Sequence, residues 1–291
     1  MPKRPLLNFN GSSDMLNMDI MESNANVEVC TDRVLARIRS RKASLLPMPR
    51  ARSLAVTSEA KPSKELNAVV LANTLVGYGD NISLDNMAII ENLIKFSKLE
   101  ATFEVPGDDP RAWYMAFLTC MDESGCFVAD MSYNAYKKSS MQLTMENIVV
   151  DIVQAGVAAA KTAIPAAAVL SAIADTTLDS MKKTPEAINL FNREVISSQG
   201  VRLAIMPCDQ LANGIILTSL SSIDSLGGSK ETNPLFFNWK TAGRDFFQGS
   251  TYITFNPTRY APLKAELEEY LGQYYKAALN KRFQRRRNAI S

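Results

Sequence analysis

The chain has 291 residues, of which 46% are hydrophobic and 21% are charged. This length allows a sizeable core, and this composition excludes global disorder. The 32 Lys and Arg side chains against 30 Asp and Glu leave a formal charge of +2, so the chain as a whole is not a polyanion binder. There is no histidine, which excludes Ser-His-Asp and Cys-His catalysis and histidine zinc sites. The four cysteines form no Cys-x-x-Cys pair, so no metal or diffusible cofactor is expected.

The first 62 residues are predicted to form a flexible polar arm ahead of one folded domain over residues 63–291. They contain no apolar core of signal-peptide length, which indicates synthesis in the cytoplasm without a cleaved signal. Four cysteines in a chain of this length fit a reduced compartment. Within the arm, residues 32–41 have the spacing of a short helix with Val34, Leu35 and Ile38 on one side.

Basic side chains are concentrated in the arm and at the C-terminus. They are candidates for contact with the phosphates of anionic lipid or of nucleic acid. The candidates are Arg37, Arg39, Arg41, Arg285, Arg286 and Arg287. For the C-terminal group, a soluble helix end without a ligand is the alternative.

The first part of the domain is predicted to place two helices before a set of strands. Ser63 is expected to cap a helix that ends at Gly77, and a second helix is expected from Ser83 to Phe96. Residues rich in aromatic and β-branched side chains then predict strands over residues 101–105, 113–120 and 126–136.

An alanine-rich segment over residues 147–178 is the longest apolar stretch of the chain. Charged residues interrupt it, and its longest uncharged part, residues 162–174, is shorter than the ~20 apolar residues of a bilayer span. Pro165 predicts a break between two closely packed helices. Such a helical hairpin either packs on the core or leaves it to enter a membrane. The candidates for membrane contact are Ile148, Val149, Val157, Ala167, Val169 and Leu170.

The last part of the domain is predicted to return to strands. A third helix opens at Thr184, and strands follow at residues 201–206, 214–220, 235–240 and 250–255 before an amphipathic helix over residues 261–282. This order of elements predicts an α+β fold, a three-layer α/β sandwich with a central antiparallel sheet. A doubly wound fold would alternate strands and helices more regularly and would carry a glycine-rich phosphate loop.

Three stretches of the chain resemble the Cyt-type cytolysins. They are LNAVVLANTL at residues 66–75, the alanine-rich pair at residues 146–181, and PLFFNWKTAGRDFFQGSTYITFNP at residues 234–257. The resemblance implies a sheet wrapped by helical hairpins in a protein that acts on membranes. The long arm and the long C-terminal helix depart from the pattern of that family.

In size and character the chain is also similar to the Erwinia virulence factor family of insect-colonising enterobacteria. This resemblance implies a non-enzymatic bacterial virulence factor that promotes colonisation of, or damage to, an insect gut. Host membrane lipids and further copies of the chain are its implied partners, and the protein would be membrane-associated or released to the host. A palmitate-type fatty acid in thioester linkage to a buried cysteine is implied as well, and Cys208 in VRLAIMPCDQ is the position that fits best.

Alternatives to these interpretations stay open at this stage. Cys208 could be an inert core cysteine, since unpaired cysteines are among the most buried residues, and Cys126 is the next candidate for acylation. Cys208 with Asp209 could form the centre of a hydrolase or acyltransferase, although neighbouring residues rarely point at one atom. The alternative function is a nucleic-acid-binding or self-assembling structural protein that uses its basic arm and tail.

Overall fold

The computed structural model describes residues 31–41, 68–106, 109–129, 131–136, 142–184, 196–197, 200–225, 238–240 and 246–288. Ten strands occur in this part of the chain. They are β1 (Ala68–Leu71), β2 (Thr74–Tyr78), β3 (Cys126–Val128), β4 (Ser132–Ala135), β5 (Gln142–Thr144), β6 (Ile196–Ser197), β7 (Gly200–Gln210), β8 (Ile216–Ser225), β9 (Asn238–Lys240) and β10 (Phe246–Phe255).

The middle layer is a sheet with strand order β1-β2-β7-β8-β10, and β3 and β4 both pair with β10. All of these pairs are antiparallel except β2 with β7, so the sheet is antiparallel apart from one crossover pair. The short strand β6 pairs with β7, and β5 pairs with β9 in a separate ladder.

Helices cover both faces of the sheet. They are α1 (31–41), α2 (Leu84–Glu104), α3 (Pro110–Glu123), α4 (Met145–Ala163), α5 (Val169–Lys182) and α6 (Ala261–Asn288). One core lies between the sheet and α1, α2, α3 and α6, and a second core lies between the opposite face and α4 with α5. The predicted three-layer α/β sandwich is therefore confirmed.

The helix predicted from Ser63 to Gly77 is wrong over the described residues, which form the hairpin of β1 and β2. Ala72 has a positive φ of 54° and makes the tight turn between the two strands. The run of Val and Leu side chains has helical spacing, but it also suits a strand that is buried on both faces. The parallel pairing of β2 with the long strand β7 decides between the two, and it needs partners that are far away in the sequence.

The strands predicted over residues 101–105 and 113–120 are also wrong, because both segments are helical. Residues 101–104 continue α2, which extends beyond the predicted end at Phe96 and is capped by Ser83, the predicted first residue. Asp109 caps α3 by accepting a hydrogen bond from the Ala112 N–H, and Pro110 occupies its first turn. These start signals, with buried aromatic residues at helical spacing, outweigh the β preference of individual side chains.

The helical hairpin and the later strands are confirmed. α4 and α5 are separated by a 3-10 turn at Pro165–Ala168, at the predicted break. β7 and β10 contain the strands predicted over residues 201–206 and 250–255, β8 begins at Ile216, two residues after the start of the strand predicted over residues 214–220, and the last helix extends past residue 282 to Asn288. The helix predicted from Thr184 and most of the strand at residues 235–240 lie outside the described residues.

The short helix predicted within the arm is confirmed as α1. Val34 and Ile38 on this helix are fully buried against the core of α2, α3 and α6. This part of the predicted arm therefore packs on the domain. Residues 1–30 and 42–67 lie outside the described residues, so the arm as a whole and the boundary at residue 63 stay predictions.

Candidate functional site: an apolar end of the sandwich

Three large apolar side chains are exposed in the part of the chain that the structure describes. They are Leu84, Phe127 and Val169, with 71%, 56% and 38% of their surface accessible. Single exposed apolar residues are ordinary, whereas a group of them marks a binding surface. The position of these three in the fold therefore decides what they mean.

Leu84 lies where β2 and β7 end. The Gly79 N–H donates to the Cys208 carbonyl across these strands at 2.8 Å, and α2 starts five residues after Gly79. The Asn86 side chain at the start of α2 donates to the Gln210 side chain at the last residue of β7, at 2.9 Å. The first turn of α2 is thereby fixed at the end of the sheet where β2 and β7 terminate.

Val169 lies at the same end of the sheet. In α5, Thr177 packs against Gly77 and Ile173 packs against Gly79, so the helix passes the end of β2 toward its own N-terminus. Val169 begins α5 one turn before Ile173, beside the turn that links α4 to α5. The tip of this hairpin is uncharged from residue 162 to residue 174, and Pro165 is exposed there.

Phe127 completes the group. It pairs with Thr254, next to the last residue of β10, and Phe255 in turn pairs with Ile216 at the start of β8. Because Ile216 pairs with Gln210, the last residue of β7, Phe127 lies at the same end of the sheet as Leu84 and Val169. We call the exposed surface of Leu84, Phe127 and Val169, with the hairpin tip at residues 162–168, the apolar end.

A buried carboxylate lies directly behind the apolar end. Asp209 is 5% exposed, and its Oδ1 has no hydrogen-bond partner among the described residues. This oxygen and the Ile173 side chain both lie against Gly79, where a Cβ would collide with them. Burial raises the pKa of Asp209, and the nearby Asp80 raises it further. Only glycine at position 79 lets the strand, the carboxylate and the hairpin meet this closely.

The residues predicted for the hairpin fall into three groups. Val157, Ala167 and Leu170 are buried against the sheet, whereas Val169 is exposed at the apolar end. Ile148 and Val149 belong to α4, but their side chains lie outside the described residues. No helix in the described part of the chain is both long and apolar enough to span a bilayer.

Cys208 lies on the other face of the sheet, toward α2 and α6. Its Sγ is fully buried and donates to the Met206 carbonyl at 3.4 Å, and burial raises the pKa of the thiol to about 12. Asp209 points to the opposite face, so the two side chains do not share a site and the proposed Cys208–Asp209 centre is wrong. Cys126 is also buried, and burial raises the pKa of its thiol strongly.

The arginines of α1 contact carboxylates of the domain. Arg37 contacts Glu104 and Glu123 at 2.9 and 2.7 Å, and Arg39 contacts Glu266 at 3.4 Å. Arg41 contacts Glu100 at 3.4 Å and lies over the Phe103 ring. The guanidinium groups of Arg37, Arg39 and Arg41 thus bind the domain itself, which leaves the nucleic-acid alternative without support from these three residues.

The C-terminal arginines, Arg285, Arg286 and Arg287, belong to the last turns of α6, and their side chains lie outside the described residues. Among the residues that the structure describes, no cluster of acidic or cysteine side chains could hold a metal ion. The apolar end is therefore the candidate functional surface in the described part of the chain.

Two residues of this site were not identified from the sequence. Leu84 follows the N-cap Ser83 and reads as the first apolar residue of an amphipathic helix, and Phe127 reads as an inward residue of a strand. Nothing in the sequence pattern separates an exposed apolar residue at a helix start from a buried one. Their exposure depends on where the neighbouring strands end, namely β2 and β7 for Leu84 and β10 for Phe127.

Comparison with known proteins gives a distant structural likeness. No protein-family model matches the chain, and no curated protein matches it. A solved structure titled delta-endotoxin has a TM-score of 0.40 and 9% identity, over 69% of this chain and 91% of that one. The activated Cyt2Ba monomer from Bacillus thuringiensis subsp. israelensis has a TM-score of 0.36 and 11% identity, over 63% of this chain and 97% of that one. Likenesses of this size carry no argument about function.

Proposed function

We propose that this chain is a non-enzymatic, membrane-acting protein of the toxin or virulence-factor class, which binds lipid bilayers through the apolar end. The observation that carries the proposal is that Leu84, Phe127 and Val169 are all exposed at the same end of the sheet, which also holds the uncharged hairpin tip. A sequence without histidine and a buried Cys208 thiol offer little for the common types of hydrolase chemistry.

The arrangement of the apolar end favours a bilayer as its ligand. The three side chains lie on separate elements, namely a helix start, an edge strand and a hairpin tip. A fluid lipid interface adapts to such a discontinuous surface, whereas a protein partner requires a matching rigid one. Interfacial proteins bury apolar side chains ~5–10 Å into the boundary between headgroups and acyl chains. Self-association on the bilayer is part of the same proposal.

Vesicle binding tests the proposal. We expect the protein to co-sediment with phosphatidylcholine vesicles, and we expect the triple variant Leu84→Ser, Phe127→Ser, Val169→Ser to bind at least ~10-fold more weakly. Each substitution removes apolar surface that the bilayer would bury, at roughly 25 cal/mol per Å². The serines add no charge, so lipid electrostatics stay constant.

Exposed alanines remote from the tip give a control. The triple variant Ala135→Ser, Ala155→Ser, Ala158→Ser changes solvent-facing positions of β4 and α4 away from the tip, and we expect it to bind as the parent does. Equal binding by the two triple variants would contradict a role for the apolar end. Absence of binding by the parent, with or without phosphatidylserine and at any pH, would contradict the membrane function itself.

Acylation of Cys208 is a finer part of the proposal, and it comes from the resemblance. The buried position and raised pKa of this thiol mean that the layer of α2 and α6 would have to open before an acyl donor could reach it. We expect the intact mass of natively expressed protein to include one fatty acyl group that hydroxylamine removes and that Cys208→Ser lacks. An unmodified mass would contradict acylation, and an acyl group retained in Cys208→Ser would place it elsewhere.

The insect host is the other finer part of the proposal. Feeding purified protein to insect larvae tests it directly, with damage to the gut epithelium as the expected result. Vesicle binding without any effect in larvae would contradict the proposed host and leave the membrane function standing.

A further inference from the structure

One buried titratable group has no part in the proposed membrane surface. Asp209 lies behind the apolar end with only 5% of its surface accessible, and its Oδ1 has no hydrogen-bond partner among the described residues. Hydrogen bonds from the Asn81 side chain and the Gln210 backbone favour the ionised form of the carboxyl group. Burial disfavours that form more strongly, because it removes the water that would stabilise the charge.

Asp209 and the helical hairpin meet at Gly79. A Cβ on this glycine would lie 3.0 Å from both the Asp209 Cγ and the Ile173 Cδ1, so the carboxyl group and the first turns of α5 converge there. Ile173 is buried in the core beneath the hairpin, and Leu170, closer to the tip, is fully buried in the same core. The carboxyl group therefore lies against the part of α5 that holds the hairpin tip on the sheet.

The groups around Asp209 do not offset a negative charge on it. Asp80, in the turn after β2, repels that charge, and no Lys or Arg side chain among the described residues acts on it. Cys208, the preceding residue of β7, stays neutral because burial raises the pKa of its thiol to about 12. α5 and β8 face Asp209 with Ile173 and Leu217. The charged residues closest in sequence to this end of the adjoining helices are exposed, namely Asp85 of α2, Lys161 of α4 and Asp175 of α5.

We propose that Asp209 is a pH-sensitive latch for the hairpin: ionisation of its carboxyl group releases the first turns of α5 from the sheet and frees the tip at residues 162–168. In the neutral form the carboxyl group stays buried beside Ile173. In the ionised form the charge gains water only when α5 moves away from Gly79. Release exposes Leu170 and Ile173 beside the apolar end, and their use in membrane binding rests on the function proposed above.

The direction of the pH effect follows from the two states of the carboxyl group. Burial raises the pKa of Asp209 while α5 is docked, and Asp80 raises it further, whereas release returns the group toward its ordinary pKa of ~3.9. The equilibrium constant for release is therefore lowest below pH ~4, rises with pH until the raised pKa is reached, and is level above it. A rise in pH thus favours the released tip.

Amide hydrogen exchange of the full chain without lipid tests the latch. After correction for the intrinsic pH dependence of exchange, we expect the first two turns of α5 to lose protection by at least ~5-fold between pH 4 and pH 8. This factor is the lower end of the penalty for a buried polar atom without a partner. Asp209→Asn preserves the size of the side chain and cannot ionise, so its α5 protection should not show this loss.

Asp175→Asn is the matched control, because it removes an exposed charge from the same helix. We expect it to keep the pH dependence of the parent. Glu100, a buried carboxyl group whose pKa is also raised, lies in the core on the other face of the sheet. Both variants retain Glu100, so the difference between them reports on Asp209 alone.

Three results would overturn the latch. They are α5 protection in the parent that does not change with pH, an equal change in Asp209→Asn, and a loss of protection in β7 as large as that in α5. The membrane function can fail separately. Release of α5 in a parent that binds no vesicles would support the latch and contradict the membrane function, whereas vesicle binding with pH-independent α5 protection would do the reverse.

Discussion

Alanine at Gly77 is expected to destabilise the protein by about 3 kcal/mol and to loosen the helical hairpin from the sheet. A Cβ at this position would collide with the Oγ1 of Thr177, and the Cβ of Thr177 would be only 2.9 Å away. Thr177 cannot turn aside easily, because it is buried and its Oγ1 donates to the Ile173 carbonyl at 2.7 Å. Urea unfolding measures the loss, and faster amide exchange in α5 would localise it.

Two companion variants make the Gly77 result interpretable. Gly272→Ala adds a methyl to α6 where no atom lies within 4 Å, so we expect a gain of ~0.5–1 kcal/mol from helix propensity. Thr177→Ala in the Gly77→Ala background removes the nearest clashing atom and should restore part of the stability. A Gly77→Ala protein as stable as the parent would contradict the close packing of α5 on β2.

Removal of Arg41 is expected to cost about 2–3 kcal/mol at pH 7. Glu100 is fully buried, and its carboxylate contacts Arg41 at 3.4 Å and accepts from the Tyr270 hydroxyl at 3.2 Å. Breaking a buried ion pair from one side leaves an uncompensated charge, which typically costs ~3–5 kcal/mol. We expect less here because Arg41 is partly exposed and Arg37 still lowers the pKa of Glu100.

The cost of Arg41→Ala should depend on pH in a definite direction. Burial raises the pKa of Glu100 in the folded protein despite Arg41, and loss of Arg41 raises it further. Both proteins lose stability as the pH rises above ~4.3, where the unfolded chain releases this proton, until the pH reaches the folded pKa of Glu100 in each. The variant therefore loses stability relative to the parent only as the pH rises from the raised pKa in the parent to the still higher pKa in the variant. Near pH 4 the difference should shrink to the lost contact with Phe103.

Arg39 is the matched control on the same helix. Its contact with Glu266 is exposed, and exposed pairs are worth at most about 1 kcal/mol. We expect Arg39→Ala to cost little at pH 4 and at pH 7. An Arg41→Ala cost that is the same at both pH values would contradict the role assigned to the Glu100 carboxylate.

The sequence predicted the second half of the fold better than the first, for identifiable reasons. Pro165 and the alanine-rich pattern are local signals, so the hairpin was found with its break. The residues of β1 and β2 become strands only through pairing with β7, more than 120 residues away, and a local pattern contains no information on that pairing. For α3 the local start signals are present at Asp109 and Pro110, but the aromatic content of the segment favours a strand.

The candidate site was only partly predictable. Val169 was identified because the hairpin is apolar along its length, yet the sequence could not show that Val157 and Leu170 face inward while Val169 faces out. Leu84 and Phe127 were missed because their exposure depends on where neighbouring elements end. The burial of Cys208 agrees with the interpretation as a core cysteine, and its acylation stays a prediction.

Depth-dependent quenching by brominated phospholipids tests the membrane orientation most directly. A fluorescent amino acid would replace Val169 at the apolar end or, as the control, exposed Thr102, about 27 Å along α2 from Leu84. The proposed orientation predicts strong quenching at position 169 and none at position 102 when the protein binds vesicles. Equal quenching at both positions, or none at position 169 in vesicle-bound protein, would contradict it.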